Sequence, residues 1–316
     1  MNAPARIAVF VLGLAAFFGV ALVVGNQVGP VGGQAADASD PGSADAGSGH
    51  GHSESGDLAE PGHGDQAGSA GVPGGLMVSS GDYTLALQTP AAQPGRDRRV
   101  AFLINGPDGG LVTEYDVEHE KRLHFIAVRR DFSGFQHVHP ELGPDGTWTA
   151  ALDLTPGQWR VFADFKPAGG DSLTLGSDLL VPGRVAAAAD RPPIRVSTVD
   201  GYTVTLTGDL VPGEHSMLEL SIAKDGVPVT DLQPYLGAYG HLVALRGGDL
   251  AYLHVHPDGE PGDGKTKPGP AVEFGAEVPS VGTYHLYLDF QHDGVVRTAQ
   301  FALAAGQVPG QGHDHD

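Results

Sequence analysis

Leu123-His124-Phe125-Ile126-Ala127-Val128-Arg129 aligns with Gly240-His241-Leu242-Val243-Ala244-Leu245-Arg246, and the same tetrapeptide follows at the same distance: His137-Val138-His139-Pro140 and His254-Val255-His256-Pro257. Further on, Gly157-Gln158-Trp159-Arg160-Val161-Phe162-Ala163-Asp164-Phe165 matches Gly282-Thr283-Tyr284-His285-Leu286-Tyr287-Leu288-Asp289-Phe290. Upstream, Asp82-Tyr83-Thr84-Leu85-Ala86-Leu87 matches Gly201-Tyr202-Thr203-Val204-Thr205-Leu206. The extra residues of the second copy fall in its Gly/Pro-rich loop, 258–270. Duplication with the insertion confined to a loop identifies two copies of one fold, 77–186 and 194–306, joined at Arg191-Pro192-Pro193.

Each copy consists of short β-branched and aromatic segments between turn residues such as Gly106-Pro107-Asp108-Gly109 and Gly143-Pro144-Asp145-Gly146. No stretch beyond residue 76 keeps a helical period. About seven strands in about 110 residues predict an all-β fold: two tandem immunoglobulin-like antiparallel β-sandwiches. Trp159 and Tyr284, aligned after Gly157 and Gly282, are expected as the aromatic corner that opens a late strand.

Register then predicts a site. Gly247-Gly248 between apolar runs reads as a two-residue hairpin. Pairing Arg246 with Asp249 puts His241 opposite His254, with His256 diagonal on the same face. In the first copy a turn at Arg130-Asp131 puts His124 opposite His137, with His139 diagonal. Each copy should therefore present three imidazoles on one sheet face, a ligand set suited to copper or zinc. Asp164 and Asp289 are expected to supply an oxygen ligand or to orient a ligating His. His119, His215, His285 and His292 have no counterpart in the other copy and are expected at the surface.

Composition excludes several functions. The net charge is -20, from 18 Lys+Arg against 38 Asp+Glu, so nucleic acid is not expected as a partner. There is no Cys, which removes disulfides, thiolate metal sites and a thiol nucleophile. Only 3 Met are present, too few for a Met-rich copper(I) carrier. No Gly-x-Ser-x-Gly elbow, phosphate loop or paired catalytic carboxylates occur, and Glu141 does not fit a cupin pattern after His-x-His-Pro. An enzyme is therefore the least favoured class, although three His and a water is also the layout of catalytic zinc.

Residues 7–24 carry no charge and no strongly polar side chain. As a helix they would span about 27 Å, against about 30 Å of bilayer hydrocarbon. Arg6 precedes them and no Lys or Arg follows until Arg96, so a single-pass anchor (1–25) with everything after it extracytoplasmic is expected; a cleaved signal and secretion are the alternative. Residues 26–76, rich in Gly, Ala, Ser and Asp and without aromatics, read as a disordered acidic linker with His50, His52 and His63. The tail 307–316 ends in His313-Asp314-His315-Asp316, a composition suited to loose metal capture.

The stretch Tyr235-Leu236-Gly237-Ala238-Tyr239-Gly240-His241, with Leu253-His254-Val255-His256-Pro257 and Leu288-Asp289-Phe290-Gln291, resembles a family of secreted or membrane-anchored actinobacterial proteins associated with metal handling. The resemblance implies location and a metal connection, and no reaction. A looser likeness is to periplasmic copper-resistance binding proteins, single immunoglobulin-like barrels with His and acidic copper(II) ligands. This chain lacks their Met-rich segment and their mature N-terminal His. The function expected is copper or zinc buffering, storage or delivery outside the membrane, with a metal transporter or other envelope protein as possible partner. The alternative is a metal-free interaction module at the cell surface.

Overall fold

In a computed structural model, residues 72–185, 193–253 and 255–306 are described, all within one compact unit, Pro61–Asp316. The expected anchor, linker histidines and tail lie outside the described residues. Among the described residues there is no helix, hence none long and apolar enough to cross a membrane.

The first repeat contains Ser79–Ser80 (β1), Tyr83–Leu87 (β2), Gly95–Asn105 (β3), Tyr115–Asp116 (β4), Leu123–Arg129 (β5), Gln136–Val138 (β6), Glu141–Leu142 (β7), Trp148–Leu154 (β8), Gly157–Pro167 (β9) and Leu173–Val181 (β10). The second contains Val196–Val199 (β11), Tyr202–Thr207 (β12), His215–Lys224 (β13), Val227–Pro228 (β14), His241–Arg246 (β15), Tyr252–Leu253 (β16), Val255–Pro257 (β17), Ala271–Glu277 (β18), Gly282–His292 (β19) and Val295–Ala305 (β20).

The first repeat folds as two antiparallel sheets, β1-β2-β3-β8-β7 and β10-β9-β5-β6, with β4 added to β9. The second repeats the plan as β11-β12-β13-β18-β17, with β14 on β13, and β16-β15-β19-β20. Lettering β2, β3, β5, β7, β8, β9 and β10 as A to G gives sheets ABED and GFC, the immunoglobulin-type order. The corner aromatics behave as expected. Trp159 Nε1 donates to Thr155 O at 2.8 Å, and Tyr284 OH donates to Ser280 O at 2.8 Å. Both rings are fully buried, so the bond to the preceding backbone satisfies a polar atom that burial would otherwise penalise.

Strand patterning shows which faces are covered. β8 alternates buried and partly exposed residues, as a strand does with one face on a core and one toward water. β5 does not: Leu123, Phe125 and Ala127 enter the first repeat's core, while Ile126 and Val128 are buried on the opposite face. That opposite face packs against the second repeat. Ile126, Val128, Phe135 and Phe162 form one apolar cluster with Val243, Leu245, Tyr252 and Tyr287. Phe135 stacks on Tyr287 at 3.9 Å between ring centroids, and Tyr287 OH donates to Phe132 O at 2.8 Å.

Residues 74–77 lace this junction at its edge. Gly75 N donates to Thr174 O, Gly176 N to Met77 O, and Tyr252 N, from the other repeat, to Gly74 O. Gly75 has φ +70, and a Cβ there would lie 2.4 Å from Phe162 Cδ1, so both backbone and packing require glycine.

Candidate metal centre

The same rows of residues cross both GFC sheets. In the first repeat His124 on β5 lies opposite Asp164 on β9, which lies opposite Thr174 on β10. In the second, His241, Asp289 and Thr298 occupy the equivalent places on β15, β19 and β20. Thr174 donates to Asp164 at 3.0 Å and Thr298 to Asp289 at 2.5 Å. Because the two sheets pack face to face, these rows meet. The expected pair of separate clusters is replaced by one cluster drawn from both repeats.

Two overlapping groups of donor atoms result among the described residues: His124, His137 and His139; and His137, His241 and Asp289, with all ligand atoms of each group within 4.8 Å of one another. The rings of His124, His137, His139 and His241 approach closely. Centroid separations include 5.2 Å for His124–His137, 5.0 Å for His137–His139 and 4.8 Å for His137–His241. The His137 side chain is 1% exposed and Asp289 is 3% exposed.

Hydrogen bonds set the tautomers. His137 Nδ1 lies 2.9 Å from Asp289 Oδ2, and a carboxylate only accepts, so Nδ1–H donates. His124 Nε2 lies 3.1 Å from Glu118 O, which likewise only accepts. For neutral rings this leaves lone pairs on His137 Nε2 and His124 Nδ1, and these two atoms face each other at 3.0 Å. Two lone pairs at that distance call for a cation between them. Burial, and then the neighbouring His137, push His124 down to about 4; burial, then His137, His124 and Lys121, push His139 down to about 3. Both are therefore neutral near pH 7. His139 Nε2 is buried with no hydrogen-bond partner, a third nitrogen free to coordinate.

The remaining expected residues are placed differently. Asp164 is held by Thr174 and by Tyr252 OH at 3.4 Å from the second repeat. Desolvation, and then Asp164, keep the Tyr252 phenol well above its ordinary range. His256 is a correction. The chain leaves the β15 sheet after Leu253, and β17 pairs with β18 in the opposite sheet, where His256 stands against Gly275 and is exposed. His254 lies outside the described residues.

Register is a second correction. Phe125 pairs with Val138 and Ile126 with His137, so His137 stands opposite Ile126 and not opposite His124. The turn is longer than Arg130-Asp131. Arg129 N reaches Ser133 O, with Phe132 at φ 63 and Gly134 at φ 68. In the second repeat Leu245 pairs with Tyr252 and Arg246 N reaches Ala251 O, with Leu250 at φ 63. Both shifts are by two residues, which preserves the face.

Three histidines expected at the surface also need correcting or qualifying. His285 is buried and stacks on Phe132 at 3.7 Å, and His292 is buried between Tyr202 OH (2.7 Å) and Asp231 (3.0 Å). His119 is exposed, but its ring lies 6.0 Å from that of His124 and 5.9 Å from that of His241, at the rim of the cluster.

The chain belongs to the family described as Domain of unknown function (DUF8832), whose model matches residues 78–179 and 197–307. No curated protein matches the chain. Solved structures similar to it include the FdeC adhesin of Escherichia coli, at 12% identity over 72% of this chain and 65% of that chain, TM-score 0.24. The adhesin InvE of Yersinia pseudotuberculosis is 11% identical over 70% and 58%, TM-score 0.22. The FN1–FN3 domains of chicken CNTN1 are 12% identical over 74% and 69%, TM-score 0.19. The chain covers less than two thirds of the first two.

Proposed function

We propose that the protein binds a divalent transition metal ion, copper or zinc, through His124, His137 and His139, in an extracytoplasmic role of buffering, storage or delivery without turnover. The observation that carries this reading is the pair of opposed lone-pair nitrogens, His124 Nδ1 and His137 Nε2, at 3.0 Å. Ligands held at about 2.0–2.1 Å from one ion, with tetrahedral to square angles, sit about 2.9–3.4 Å apart. A proton on His137 would also fill the gap, but it would leave His139 Nε2 without a partner. Asp289 then orients His137 through Nδ1–H, the usual arrangement for a ligating imidazole, and Thr298 orients Asp289. The uncharged run at residues 7–24 supports an extracytoplasmic location.

A metal-free interaction module is the second reading. The immunoglobulin-type strand order of both repeats favours it, because many cell-surface domains share that sandwich. The test is metal analysis of the full chain, purified without a His tag and dialysed against a weak chelator. The control is the variant His124→Ala/His137→Ala/His139→Ala. Retention by the wild type and loss by the variant is the expected result. Equal retention by both sinks the metal reading and leaves the interaction module.

A further inference from the structure

The site described above uses one nitrogen of His137. The other nitrogen faces a second set of donors: Nε2 points at His124, while Nδ1 points at Asp289. The two donor groups, His124/His137/His139 and His137/His241/Asp289, share this one residue. The separation of His137 Nδ1 from Asp289 Oδ2, 2.9 Å, also falls at the short end of the about 2.9–3.4 Å between neighbouring ligands on one small divalent ion. His241 supplies the third donor, and its ring centroid is 4.8 Å from that of His137.

We infer that the cluster is a dinuclear centre in which the His137 ring bridges two divalent metal ions: one held with His124 and His139, the other with His241 and Asp289. The inference rests on the proposed first site and extends it. Charge favours the second ion as well, because Asp289 brings a buried carboxylate to that group, whereas the first consists of imidazoles alone. The step is a ligand exchange. The proton on His137 Nδ1, hydrogen-bonded to Asp289 in the singly loaded protein, leaves to solvent, and the second ion takes the lone pair it vacates. No electron moves.

The centre also fits the two-repeat architecture. The first group lies on β5, β6 and the residue following β6, and the second group's remaining donors lie on β15 and β19. The bridging ring, donated by the first repeat, would tie an ion of each repeat across the packed sheets.

The experiment is a copper(II) titration of the full chain followed by electron paramagnetic resonance. His50, His52, His63, His313 and His315 are replaced by Ala so that these further histidines do not contribute. With one equivalent, an isolated copper(II) signal is expected. With the second, the signal should fall towards zero, because two spins joined through one imidazolate pair antiferromagnetically. His241→Ala should stop at one equivalent and keep its signal. His241→Asn, a milder change, should do the same, with folding of both variants checked by circular dichroism. A wild-type signal that doubles at two equivalents, or binding that stops at one, overturns the bridge while leaving the first site standing. Absence of any retained copper overturns the first site as well.

Discussion

His137 is held on one side by a carboxylate from the other repeat and faces, on the other side, a nitrogen that cannot donate to it. Its orientation therefore depends on Asp289. Replacing that carboxylate by an amide, Asp289→Asn, keeps the shape but removes the charge and one of the two acceptor oxygens, so His137 and Thr298 can no longer both be accepted. Affinity of the first site for zinc or copper should fall about 10–100-fold, the usual effect of losing such an orienting partner, as read by competition with a chromophoric chelator. A second outcome follows from burial. In the metal-free protein His124 is pushed down to about 4, whereas the unfolded chain takes up that proton at about 6.5. Between those values the unfolded state binds more protons, so this contribution to stability is full above pH 6.5 and is lost as pH falls toward 4. The urea midpoint of the apo-protein should drop between pH 7 and pH 5, above the main carboxylate range. His124→Asn should shrink the drop; an unchanged pH dependence would count against the buried neutral imidazole.

At the scale of strands, the turn between β5 and β6 decides the register of His137 against β5. Gly134 has φ +68, and a Cβ added there would lie 2.7 Å from Trp159 Cη2, so Gly134→Ala strains the backbone and collides with the corner ring. It should cost more than about 1 kcal/mol in chemical denaturation and lower metal affinity as well, since β6 carries His137. The corner itself is a separate test. Tyr284→Phe removes the bond to Ser280 O and keeps the ring, and should cost about 1 kcal/mol with metal binding unchanged. The histidines' shared face survived a wrong turn length because strand side chains repeat every two residues: a slip of two keeps the face and a slip of one loses it. The departure of β17 to the opposite sheet is a different matter. His254-Val255-His256-Pro257 reads like its counterpart, yet the chain changes sheets after Leu253 in one repeat and after Val138 in the other.

For the molecule as a whole, His137, His241 and Asp289 come together only while the two repeats stay packed. Phe162, fully buried in the cluster between them, lies on β9 two residues before Asp164. Phe162→Ala should cost about 3–5 kcal/mol, as deletion of a buried aromatic does. Uptake of a second ion by His137, His241 and Asp289 should fall with it, although none of the three residues is touched. Uptake of a second ion unchanged in a variant that has lost that stability would show that this group does not depend on the packing of the repeats.

The sequence by itself determined the duplication, the all-β plan, the corner aromatics and the common face of His124, His137 and His139. Each follows from local rules: a strand's period of two, turn chemistry, and a ring that must satisfy its polar atom against nearby backbone. It also held a signal about the packing. Leu123-His124-Phe125-Ile126-Ala127-Val128 does not alternate, and a strand that is apolar on both faces has both faces covered. Periodicity cannot say what covers the second face. Only the tertiary structure decided that the other repeat does so, and thereby brought Asp289 to His137 across 152 residues of chain. That contact is made by the packing of two apolar sheet faces, a long-range effect of burial that no local spacing encodes.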